Sequence, residues 1–106
     1  MADVEACVVM TTAPSKEQAE KIAMAALEQR LAACVQIQAI TSYYWWEEKI
    51  DNGNEQLIYL KTTKEKYEAL EAAILKIHPY DTPEIIRLPV EGGLNKYLTW
   101  IVKETT

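Results

Sequence analysis

Tyr43-Tyr44-Trp45-Trp46-Glu47-Glu48-Lys49 carries more structural information than any other stretch of the chain. Successive side chains of a strand point to opposite faces. Four aromatic rings in a row therefore make both faces apolar, and a small sheet backed by helices has one core to offer. The other face calls for a neighbour, and a second copy of the same chain is the simplest one. Around this stretch, Ala33 to about Ile50 reads as one very long strand. Ala33, Val35, Ile37 and Ala39 alternate with Gln36 and Gln38; near Ile40 the alternation blurs, and a bulge is expected there. Asp51-Asn52-Gly53-Asn54 predicts the hairpin turn, because Asn-Gly supplies the positive φ angles a tight hairpin needs. Gln56 to Thr62 predicts the returning strand.

An 18-residue strand spans roughly 60 Å at ~3.3 Å per residue. A globule of this size has a radius of gyration near ~13 Å. The hairpin must bend or project, and its projecting part carries Tyr43, Tyr44, Trp45 and Trp46. Leaving such side chains in water forgoes roughly 1.5–3 kcal/mol each. These four residues are therefore the expected oligomer interface; the alternative is a long loop whose aromatics fold back over the helix-free face of the same sheet.

The remaining elements follow from spacing and caps. Val4 to Thr12 predicts a first strand, ended by Ala13-Pro14. Ser15-Lys16-Glu17-Gln18 matches a capping box, and Ala19, Ile22, Ala23, Ala26 and Leu27 continue it as one helical stripe. Thr62-Thr63-Lys64-Glu65 predicts a second box, followed by Tyr67, Leu70, Ala73, Ile74 and Ile77 on one helix face. Pro79 stops that helix and biases His78 away from helical angles. Glu84 to Val90 predicts a fourth strand, Gly92-Gly93 a break, and Leu94, Tyr97, Leu98 and Ile101 a short closing helix. The order β-α-β-β-α-β predicts a ferredoxin-like α+β sandwich over residues 1–106, with an antiparallel sheet ordered 4-1-3-2 and two helices on one face.

Composition narrows the function classes. The chain has 106 residues, 49% of them apolar, which suits one domain with a real core. Its net charge of −5 and its scattered Lys and Arg argue against a nucleic-acid partner. No apolar run approaches the ~20 residues of a membrane span, and no leader opens the chain, so the expected location is the cytoplasm. Cys7 and Cys34, each inside a strand-like run, read as small buried thiols.

Candidate chemistry is sparse. His78 is the only histidine; imidazole suits copper or zinc, and a structural hydrogen bond is the alternative. His78-Pro79-Tyr80-Asp81-Thr82-Pro83 is stiffened by two prolines, and reads either as a structural turn or as a cleft wall presenting an imidazole, a phenol and a carboxylate. Lys61, near the end of an apolar strand, is either solvated or an anion site. Glu47 and Glu48 point oppositely and make a poor acid–base pair. Glu55 and Glu84 are available to a cation if brought close. No phosphate loop, nucleophile elbow or Cys/His metal motif is present, so no enzyme activity is expected.

Thr12-Ala13-Pro14, Leu31-Ala32-Ala33-Cys34-Val35, Tyr44-Trp45-Trp46-Glu47, Leu60-Lys61-Thr62 and His78-Pro79-Tyr80-Asp81-Thr82-Pro83-Glu84-Ile85 together resemble the divalent-cation-tolerance (CutA) family over nearly the whole chain. The resemblance implies a compact homotrimer with sheets joined across subunits, similar to PII-type signalling proteins, and a role in tolerance to copper and other divalent ions. It implies a metal ion or small anionic ligand in intersubunit clefts, with His78 toward metal and Lys61, Tyr80, Trp46 and Glu84 toward ligand. A scaffold for a protein partner is the alternative. The chain departs from the family at Glu48, where Gly is common. It also has Thr11 and Ile77 where the copper-linked bacterial member has a thiol and a second histidine.

Overall fold

The computed structural model describes residues 5–106. Its elements run β1 (Ala6–Ala13), α1 (Lys16–Glu28), β2 (Cys34–Trp46), β3 (Lys49–Thr63), α2 (Tyr67–Ile77), β4 (Ile85–Pro89) and α3 (Asn95–Glu104). A single 3-10 turn (Lys64–Lys66) leads into α2. The strands form one antiparallel sheet in the order β2-β3-β1-β4. This is the expected ferredoxin-like α+β order, counted from the opposite edge. Val4, assigned to the first strand from sequence, lies outside the described residues.

Strand alternation sorts the sheet into two faces. Val9, Ile58 and Leu60 pack with Val35, Ile37 and Ile85 beneath α1 and α2, against Ile22, Leu70 and Ile74. The alanines Ala19, Ala23 and Ala26 on the inner side of α1 are buried, and their small size lets the helix lie close to the strands. Ser15 caps α1 as expected, its Oγ accepting from the Gln18 N–H at 3.2 Å. At the other end Arg30 adopts φ 59°, and its guanidinium binds Glu104 of α3 at 2.9 Å. On the opposite face of the sheet α3 packs against β3 and β1. There Lys61 Nζ sits 5.5 Å from the Tyr97 ring centre.

The hairpin differs from its sequence reading in three ways. Pairing between β2 and β3 runs without interruption from Cys34↔Lys61 to Trp46↔Lys49, so there is no bulge at Ile40. The turn is Glu47-Glu48, with φ of 49° and 64°, and Asp51-Asn52-Gly53-Asn54 lies inside β3. The reason is register. A turn at Asn52-Gly53 would slide Ile58 and Leu60 away from Ile37 and Val35, their buried partners. The long ladder and its core pairs outweigh roughly 1–2 kcal/mol for each left-handed residue. The third difference is length, since β3 runs from Lys49 to Thr63 rather than from Gln56 to Thr62.

The second capping box is absent. Thr62 belongs to β3, and its buried Oγ1 has no hydrogen-bond partner. Thr63 precedes the 3-10 turn without a side-chain cap. Sheet pairing places Thr62 inside β3; Thr63 has the extended backbone of a cap residue, but its side chain makes no cap hydrogen bond.

The molecule measures 50 × 26 × 21 Å, because the hairpin continues past the end of β1. Tyr43, Trp45 and Ile50 there are 74%, 73% and 68% exposed. By alternation these three share one face of the hairpin, and Ser42, Tyr44, Trp46, Asp51 and Glu55 share the other.

Candidate functional site

The loop after α2 forms one wall of a cleft. Pro79 stops the helix, and His78 turns extended at φ −74°, ψ 133°. The imidazole then fixes the loop to β1. Its Nε2 lies 2.7 Å from the Thr12 carbonyl oxygen, and its Nδ1 accepts from the Tyr80 N–H at 3.1 Å. A carbonyl only accepts and a backbone N–H only donates, so the proton sits on Nε2. Both ring nitrogens are thereby used. The Tyr80 ring packs against the imidazole with centres 4.9 Å apart. Its hydroxyl donates to Glu55 Oε1 at 3.1 Å. Burial, then the hydrogen bond and negative charge of Glu55, push the Tyr80 phenol up to about 12.

The projecting hairpin forms the other wall. Its face bearing Tyr44, Trp46, Asp51 and Glu55 looks across to Pro79, Tyr80, Asp81 and Glu84, around a cleft of about 900 Å³ with Thr12 and Ser42 also lining it. Four carboxylates, those of Asp51, Glu55, Asp81 and Glu84, line this space, and no Lys, Arg or His does. Trp46, Tyr44 and Tyr80 supply the aromatic surface.

The expected site residues separate into two groups. Trp46, Tyr80 and Glu84 line this one cleft, and Glu55 joins them through Tyr80. Lys61 does not. It pairs with Cys34 while Trp46 pairs with Lys49, which separates the two by about 40 Å along the ladder at ~3.3 Å per residue. His78 stands at the root of the loop, where it shapes the wall. Among the described residues no three His, Cys, Asp or Glu side chains gather as a metal-holding group. Thr11 is fully buried with its Oγ1 unpartnered, and Ile77 is 40% exposed. Asp51 and Ser42 are the cleft residues that the sequence reading missed. Asp51 was assigned to the turn; its pairing with Tyr44 emerges only once the turn moves to Glu47-Glu48.

The two cysteines are free and face opposite ways. Cys34 pairs with Lys61, as does Val8, so Cys34 shares the face of Val8 and not that of Cys7. Burial pushes the Cys7 thiol up, with Arg87 opposing weakly. Among the described residues no helix is long and apolar enough to cross a membrane.

The fold is shared with known proteins. The chain is 44% identical over 93 residues to the divalent-cation tolerance protein CutA of Archaeoglobus fulgidus, covering 88% of this chain and 91% of that one. The solved structure of the periplasmic divalent cation tolerance protein CutA from that organism superposes with a TM-score of 0.93 at 40% identity, covering 95% of this chain and 99% of that one. A chloroplastic CutA 1 of Oryza sativa is 41% identical over 103 residues, covering 96% of this chain and 58% of the rice protein. The profile of the CutA1 divalent ion tolerance protein family matches residues 7–104. The chain belongs to the CutA1 divalent ion tolerance family.

Proposed function

We propose that the protein is a non-catalytic homotrimer of PII-like plan that binds a cation in the cleft between hairpin and loop, and so serves divalent-cation tolerance. The observation that carries this reading is a cleft lined by four carboxylates and no basic side chain. That lining favours a cation over the small anionic ligand implied by the family resemblance, and it leaves Lys61 outside the site. The donor set also bears on which metal fits. Copper prefers imidazole or thiolate, but His78 has no free lone pair within one chain, and neither the buried Cys7 nor the half-buried Cys34 lines the cleft. Carboxylate and phenol oxygens suit harder divalent ions.

Trimer formation is supported by the other face of the hairpin. Tyr43, Trp45 and Ile50 are exposed there, and covering them with a neighbouring subunit contributes roughly 1.5–3 kcal/mol per large side chain. The free thiols support a reducing compartment such as the cytoplasm; two plant relatives are named chloroplastic and one solved relative periplasmic.

Sedimentation at micromolar concentration, with and without Trp45→Glu, tests the assembly. The expected mass is three times the 12.1 kDa chain, falling to one chain in the variant. Calorimetric titration of Mn²⁺ and Cu²⁺ into wild type and Glu55→Gln tests the site. An intact trimer that takes up no cation of any kind would favour the scaffold reading.

A further inference from the structure

We draw no further inference here: the strongest candidate, the open pocket beside the start of α2 where Arg87 lies over the Tyr67 ring and the Tyr67 hydroxyl donates to Glu71, is lined by side chains of mixed charge none of which is buried, and nothing in the structure shows what covers it.

Discussion

Beneath α1 and α2, β3 buries Ile58 and Leu60 completely; further back along the same strand, Ile50 is 68% exposed. The hydrogen-bonded ladder is equally regular in both places, so regularity is not what separates them. The difference is cover. The body of the sheet finds its apolar partners within its own chain, in Ile22, Leu70 and Ile74. The hairpin carries Tyr43, Trp45 and Ile50 beyond the reach of any helix. A ladder satisfies backbone groups wherever it runs, but most of the free energy comes from removing apolar surface from water. One half of the hairpin is therefore held by the fold, and the other has no apolar cover among the described residues.

The largest effect should come from attacking the covered half. Leu60→Ala removes a fully buried side chain and should cost about 2–5 kcal/mol in urea unfolding, by a similar amount at every protein concentration. Trp45→Ala should behave differently: little loss at high dilution, where exposed substitutions cost about 0.5 kcal/mol or less, and a growing loss as concentration rises. A Trp45→Ala penalty that did not vary with concentration would erase the distinction between the halves.

A smaller effect should appear at the tip. Glu48 sits at φ 64°, where a Cβ crowds the backbone by roughly 1–2 kcal/mol. Glycine relieves that strain but loses more freedom on folding. Glu48→Gly should therefore gain about 0.5–1 kcal/mol, read as an increased urea midpoint with no change in slope. If the midpoint fell instead, the tip would be held by a contact of the Glu48 side chain outside the isolated chain, and the uncovered half would extend to the turn itself.

The sequence disclosed what depends on neighbours in the chain. Ser15 announced the start of α1, Pro79 the end of α2, and the element order the sheet topology. It misplaced what depends on distant competition. Asn52-Gly53 has strong turn character locally, yet no glycine in the structure has a positive φ, because Val35↔Leu60 and Ile37↔Ile58 set the register from the far end of the ladder. Thr62-x-x-Glu65 looked like a cap and became a strand end for the same reason. The cleft was half legible. Trp46, Tyr80 and Glu84 could be named from motif and composition, but their meeting depends on the turn at Glu47-Glu48. His78 illustrates the limit: an imidazole in a sequence reads as a free ligand, and here both its nitrogens are spent on Thr12 and Tyr80.

The smallest effect concerns the one side-chain bond from the loop to the base of the hairpin, Tyr80 Oη to Glu55 at 3.1 Å. Tyr80 titrates at about 12 in the folded chain, against an ordinary phenol value near 10. The folded state thus prefers the protonated phenol. That contribution to stability is complete below about pH 10 and is lost as pH rises toward 12. Burial is the larger cause, so Glu55→Gln should lower the titration only part of the way back. Ultraviolet absorbance of tyrosinate follows it, with Tyr80→Phe identifying its share among the six tyrosines. This control is needed because Tyr67 is also raised, first by its hydrogen bond to Glu71. An unchanged titration in Glu55→Gln would mean that the loop does not hold the hairpin, and that the two cleft walls are positioned independently.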